Sequence, residues 1–381
     1  MASSRSSCSS LSETSTVYYG HTAFTEFSGQ VRHLCLSIDN VNTDATAPPQ
    51  AARFILRIPR FESAQVENQI ATLSFLKQRT QIPIPEIVLF DLTPENAIDS
   101  PYTVQLRISG LDLQTGYQTL SHAQRCSFVR QFARVWLDLQ AVISPIAGHV
   151  YIPREDLSVG FPAPLGQIKV SHLRLESPGE ASEAIMNTLK TQNPLDMLLF
   201  QFRRWSDLHR KSAPNSRIIP NYFTKLGTVA EEMDARGCFG ESDMVLCHTD
   251  LSPRNIMVEA APDGSLRICG ILDWDEAVFG PRVMSCAPPS WIWQWCEDGE
   301  EDEATARLEP QDPQLRELKS IFEEEVGQDL LNLGYLPHHR LARRLCDFVL
   351  YEISCKEHMD NADRLSAEWQ QLKLKMEGAQ G

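Results

Sequence analysis

Three side chains in this 381-residue chain have the types and spacing to do chemistry together: Asp250, Asn255 five residues later, and Asp273. They lie in the stretch DMVLCHTDLSPRNIMVEAAPDGSLRICGILDWDE, residues 243–276. Phosphoryl transfer needs such a set. One acid takes or orients the proton of an acceptor hydroxyl, while a carboxamide and a second acid hold Mg²⁺ against nucleotide phosphates. Asp250 fits the first role, and Asn255 and Asp273 fit the second. His248 and Asp275 stand beside them as supporting residues. The other reading of the same stretch is a hairpin with capped strand ends and surface acids.

The elements that must position these residues are short apolar runs. Met244–Cys247 reads as a buried strand, 256–258 as the start of a second, and 266–272 as a third. Pro262-Asp263-Gly264 between the last two supplies a turn, since Pro presets φ and Gly accepts positive φ.

The spacing H-x-D-x-x-x-x-N followed by a later Asp is that of a kinase catalytic loop. The chain here resembles the aminoglycoside phosphotransferase family, kinase-like enzymes that phosphorylate small molecules. His248, Asp250, Leu251, Pro253, Asn255, Ile256, Val258, Gly270, Ile271, Asp273, Trp274, Ala277, Gly280 and Pro281 carry the resemblance. It spans residues 20–296 and is strongest over 244–281. The stretch APPSWIWQW, residues 287–295, is similar to the filamentous-fungal branch. A protein kinase is disfavoured: Thr249 replaces the Arg of its catalytic loop, Trp274 replaces the Phe of its DFG, and no APE follows.

The resemblance implies an α+β, bilobal, protein-kinase-like fold: a small antiparallel-sheet lobe plus a larger, mainly helical lobe, with ATP and Mg²⁺ between them. It sets residues 16–108 as the nucleotide-binding lobe and 109–381 as the catalytic and substrate lobe. In the first lobe, 17–38 reads as two strands around a turn at 27–30. That turn is either an ordinary hairpin or a phosphate flap, with Gly20 and Gly29 but no GxGxxG. RFILRI, residues 53–58, alternates like a half-buried strand. The family carries a phosphate-gripping cation where Arg57 stands; a solvated strand face is the other reading. Val66, Ile70, Leu73 and Leu76 recur at helical spacing over Ser63–Arg79. The family puts a Glu on this helix to pair with the strand cation. This chain has Gln69, whose carbonyl could accept a hydrogen bond from Arg57 and aim it, while Glu67 points to another face. Two further strands, 86–92 and 102–108, complete a five-stranded sheet, and Pro101-Tyr102 through Ser109-Gly110 resembles the family's hinge.

Beyond the hinge, Ser121 caps a helix with Phe128, Phe132 and Trp136 on its core face. Residues 148–177 read as a Pro- and Gly-rich insertion, and 196–209 and 222–236 as helices, the second stopped by Gly237 at C′. Trp291, Trp293 and Trp295 read as core anchors, with a substrate wall as the lesser reading. The acidic run 297–303 is a solvated loop or an acidic lip for a cationic substrate. Residues 313–333, 339–355 and 361–376 read as three amphipathic helices. His338 and His339 with Arg340, Arg343 and Arg344 form a basic helix face.

Composition excludes some classes. A net charge of −15 argues against nucleic-acid binding. No apolar run reaches the length of a membrane helix. Ten cysteines are scattered with no CxxC pair, which suits a reducing compartment, and the cytoplasm follows. Residues 1–15 are a Ser-rich tail expected to be disordered and without a secretory signal's apolar region. The expected function is an ATP- and Mg²⁺-dependent O-phosphotransferase acting on a small-molecule hydroxyl. The alternative is a degenerate kinase-like fold that binds nucleotide or a metabolite without turnover.

Overall fold

The apolar positions at helical spacing in Ser63–Arg79 do form a helix, α1, over that span. Val66, Ile70, Leu73 and Leu76 are all buried. The computed structural model describes residues 16–19, 22–27, 31–38, 52–59, 63–152, 168–171, 173, 192–295 and 303–378, the first three segments as backbone only. The Ser-rich tail, Gly20 and Gly29 lie outside the described residues, and so does most of the 148–177 insertion.

The small lobe holds six strands, not five: β1 Thr16–Tyr19, β2 Thr22–Phe27, β3 Val31–Ile38, β4 Ala52–Pro59, β5 Ile87–Asp91 and β6 Tyr102–Leu106. Their order is β1-β2-β3-β4-β6-β5, antiparallel throughout. The extra strand arises because 16–38 turns twice. Its residues are polar and aromatic by turns, so no long apolar run marks the first turn in the sequence. In β4 the register sets Arg57 opposite Thr103 of β6. Alternation along β6 then puts Thr103 and Gln105 on one face, where both are buried.

The chain leaves this lobe through Gly110, which has φ +104. A Cβ there would lie 2.4 Å from the Val258 carbonyl oxygen, so only glycine permits this approach. The next residues, β7 Leu111–Asp112, pair with Met257 and Val258, and the hinge is thereby fixed to the hairpin that carries the site.

In the large lobe the helices are α2 Leu113–Gly116, α3 His122–Gln140, α4 Pro194–Ser212, α5 Ile218–Asp234, α6 Pro313–Val326, α7 Gln328–Tyr335, α8 Pro337–Leu350 and α9 Lys356–Gly378. Ser121 and Gln124 form a complete capping box on α3. After α5, Gly237 has φ +69, and Cys238 N–H reaches back to Met233 O while Gly237 N–H reaches Asp234 O, a Schellman ending as expected. The C-terminal region has four helices where three were expected. Gly327, at φ +84, interrupts the periodicity of 313–333.

The remaining strands are β8 Ile143–Ser144, β9 His149–Tyr151, β10 Lys169–Ser171, β11 Met244–Cys247, β12 Ile256–Ala260, β13 Leu266–Ile271 and β14 Val278–Pro281. β12 and β13 form the hairpin, turning at Gly264 with φ +83. The fully buried β11 belongs to a different small sheet, β14-β11-β8. Trp291 packs among Tyr117, Phe128 and Phe132, and Trp293 Nε1 donates to Ala306 O, so these tryptophans are core anchors on a 3₁₀ turn. Arg343 does not lie on a basic outer face. It is buried, donating to the carbonyls of Val283, Leu333 and Gly334 and pairing with Glu303 at 2.6 Å. Glu303 is the one described member of the acidic run. The lobes meet where Phe75 of α1 sets its edge on Phe279 of β14, 5.8 Å between centroids.

Candidate active site

His248, Asp250, Asn255, Asp273 and Asp275 converge at the open ends of β11, β12 and β13. His248 is the brace. It is 3% exposed and packs on Trp274 at 4.5 Å. Its Nε2 lies 2.7 Å from Leu272 O, and its Nδ1 accepts the Asp250 N–H at 3.3 Å. This pattern assigns the proton to Nε2. Burial pushes the imidazole below its ordinary pKa, against the opposing pull of the Leu272 bond and the nearby acids, so the ring is neutral at pH 7. One buried ring thus links the loop carrying Asp250 to the strand end carrying Asp273.

The backbone is strained at two of these positions. Thr249 has φ +68 and Asp273 has φ +63. Left-handed backbone is uncommon for any side chain and costly for a β-branched one, and such residues cluster at functional sites. At Asp273 the twist sends Trp274 inward, 1% exposed with Nε1 donating to Ile271 O, and leaves the acids on either side to face the cleft.

Asn255 Nδ2 donates to both Asp250 O and Asp250 Oδ2, each at 2.9 Å. Those bonds use the amide nitrogen, so Oδ1 is the atom Asn255 offers a cation. Asp250 Oδ2 also receives Arg254 Nη2 at 2.6 Å.

Arg57 reaches this cluster from β4. Its Nη2 donates to Asp273 Oδ1 at 3.0 Å and Asp275 Oδ2 at 3.1 Å. Its buried Nε has no partner among the described residues. Gln69 does not aim Arg57 by accepting from it, as the sequence suggested. Its Oε1 accepts from Gln105 at 2.9 Å and Thr103 at 3.3 Å, and its Nε2 donates to Asp275 Oδ1 at 2.5 Å. The two side chains meet through Asp275. Burial raises the Asp275 pKa, while Arg57 pulls it back down.

Two residues at the end of α8 were not singled out in the sequence, and Tyr351 of the pair feels the Asp250 charge. Asp347 and Tyr351 lie one helical turn apart at the end of α8, each with one side open to water and the other against protein. Dense surroundings strip water from Asp347 and, with the Glu303 charge, push its carboxyl up to about 7. Loss of hydration, then the charges of Glu276, Asp347 and Asp250, pushes Tyr351 up to about 12. An i, i+4 acid–tyrosine pair beside an arginine was the available signal.

With this geometry in place, the chain can be compared with known proteins. The model of the Phosphotransferase enzyme family (APH) matches residues 39–318, more than half of the chain. The chain belongs to that family. Two Aspergillus fumigatus proteins, each named a subtelomeric hrmA-associated cluster protein, are 24% identical over 273 residues. The match covers 59% of this chain and 52% of each relative, so the chain spans about half the length of the curated relatives it matches. Among solved structures, the streptomycin–ATP ternary complex of APH(2")-IIa is similar at 11% identity, covering 92% of this chain and 93% of that one, with a TM-score of 0.48. The ADP and hygromycin B complex of APH(4)-Ia is similar at 13% identity, covering 95% and 93%, with a TM-score of 0.44. The six-stranded antiparallel lobe and the larger, mainly helical lobe are the α+β, bilobal architecture expected from the sequence. Among the described residues, no helix is long and apolar enough to cross a membrane.

Proposed function

We propose that the chain is an ATP- and Mg²⁺-dependent O-phosphotransferase acting on a hydroxyl of a small molecule, with a nucleotide lobe ending near residue 108 and a catalytic lobe beyond it. The observation that carries this reading is the meeting of Asp250, Asn255 and Asp273 at neighbouring strand ends with Arg57 delivered from the opposite lobe. The donor set suits a hard divalent cation: Asp273 is 48% exposed, and Asn255 has a carbonyl oxygen to give. Arg57 brings a permanent cation from the sheet of the nucleotide lobe to these acids, a charge that suits phosphate oxygens. When bound, Mg²⁺ supplies charge neutralisation at the transferred phosphoryl group.

Each residue then has one task. Asp250 accepts or orients the proton of the attacking hydroxyl, and Asn255 holds Asp250 while facing the cation. Asp273 is the main cation ligand, Arg57 grips phosphate, and His248 keeps the two acid-bearing strand ends in register. Asp347 and Tyr351 line the approach to Asp250 and offer an acceptor and a hydroxyl to an incoming polyol. Seven described cysteines are all free, which supports a reducing, cytoplasmic setting.

A second reading, nucleotide or metabolite binding without turnover, draws on one observation. Asp250 is paired with Arg254, and Asp273 with Arg57, so both working acids are engaged. Mg-ATP titration followed by ³¹P detection of transfer to a panel of small alcohols separates the readings. Transfer supports the first; binding without transfer or hydrolysis supports the second.

A further inference from the structure

The buried contacts around Arg57 are unequal, and the inequality assigns roles. Arg57 is 7% exposed, Asp275 11% and Asp273 48%. A guanidinium in so dry a place needs a permanent counter-charge, because a buried ion without a partner is strongly destabilising. Asp273 faces solvent and can let go. Asp275 cannot leave, because its other oxygen is held by Gln69. Gln69 in turn cannot flip its amide. Its oxygen faces the donors Gln105 Nε2 and Thr103 Oγ1, and its nitrogen faces a carboxylate. Turning it over would set oxygen against oxygen at one end and donor against donor at the other.

We propose that Asp275 is the permanent counter-ion that positions Arg57, and that Gln69, held by Thr103 and Gln105, positions Asp275. This inference rests on the phosphotransferase reading for its consequence, which is how Arg57 presents itself to phosphate. The network also ties the lobes: Arg57, Gln69, Thr103 and Gln105 belong to β4, α1 and β6, while Asp275 follows β13 in the other lobe. With Asp275 in place, Asp273 can turn away from Arg57 without leaving a buried cation unpaired. The geometry also requires position 69 to be neutral. A glutamate there would press a second carboxylate against Asp275 at hydrogen-bond distance, where the present bond is 2.5 Å. The glutamine is therefore the complement of Asp275.

The test is to move the charge from one end of that hydrogen bond to the other. Asp275→Asn, Gln69→Glu and the double variant Gln69→Glu/Asp275→Asn are titrated with Mg-ATP and, as a phosphate-free control, with adenosine. Each single change should weaken Mg-ATP binding about tenfold or more while leaving adenosine unchanged, since charge-assisted bonds are the strong ones. The double variant should bind Mg-ATP better than either single variant but remain below wild type, because it restores one carboxylate and one amide to the pair while setting a neutral amide against Arg57. The same proteins are melted without nucleotide, where the double variant should unfold at a higher temperature than either single variant. If the double variant is no better than the worse single change in both measurements, or if Asp275→Asn behaves as wild type, the proposal is overturned. If wild type binds no Mg-ATP while the melting cycle still shows recovery, the pairing stands and the phosphotransferase reading falls.

Discussion

The two ends of the site are built in opposite ways. The Asp250 end is open and local: Arg254 and Asn255 bond to Asp250 from four and five residues away, and Asp250 and Arg254 are both solvent-facing. The Arg57 end is closed and long-range: its bonds to Asp273 and Asp275, and the Gln69 bond to Asp275, join residues more than 200 positions apart. The Asp250–Arg254 pair is exposed on both sides, so it is screened and weak, which suits the entry of an acceptor under the proposed function. The second end holds a cation in a dry place, with Arg57 Nη2 shared between Asp273 and Asp275 and the second oxygen of Asp275 held by Gln69.

The largest expected effect tests the open end. Asp250→Asn keeps the shape and removes the proton acceptor, so turnover should fall by about 10²–10⁴ while nucleotide affinity hardly changes. Steady-state kinetics beside calorimetry checks it; near wild-type turnover would remove Asp250 from the role of base. Next, Asp273→Ala should abolish the Mg²⁺ dependence of nucleotide binding, and Asn255→Ala should weaken it. Titration with and without the metal decides this, and unchanged binding in both would place the cation elsewhere.

At the closed end, Arg57→Ala should weaken ATP binding by about 1.5–3 kcal/mol, with a smaller loss for Gln69→Ala. If Arg57→Ala binds ATP as wild type does, the buried end is scaffold only.

The smallest effect concerns how far the open end extends. Asp347 has its carboxyl raised to about 7 by lost hydration and the Glu303 charge, with Arg343 and Arg344 pulling the other way. The folded protein therefore holds this proton between about pH 4 and 7, where the unfolded chain has released it. Folded stability then falls as pH rises through that window, and the cost is complete above pH 7. Asp347→Asn should flatten this slope; melting curves from pH 4 to 8 that match wild type would show the carboxyl to be ordinary.

The same contrast explains what the sequence disclosed. Asp250 and Asn255 could be found because their partnership is written within six residues. The span of α1 was legible because Val66, Ile70, Leu73 and Leu76 all face one core, and Arg57 and Gln69 were placed by resemblance. Asp275 was seen only as a supporting acid, since nothing local indicates that Gln69 lies opposite it. Gly327 hid inside a continuous apolar periodicity. Arg343 read as surface because its partners are backbone carbonyls, which carry no side-chain signature. Asp347 and Tyr351 were passed over because they gain meaning only when α8 is brought beside Asp250.

The central claim is that Asp250 activates an oxygen nucleophile toward ATP. Mg²⁺-dependent release of ADP in the absence of any added acceptor tests it without knowledge of the substrate, because water can take the place of the hydroxyl. The wild-type protein should release ADP slowly and only with Mg²⁺, and Asp250→Asn should bind Mg-ATP equally well and release none above background. Equal release from both proteins would contradict the account.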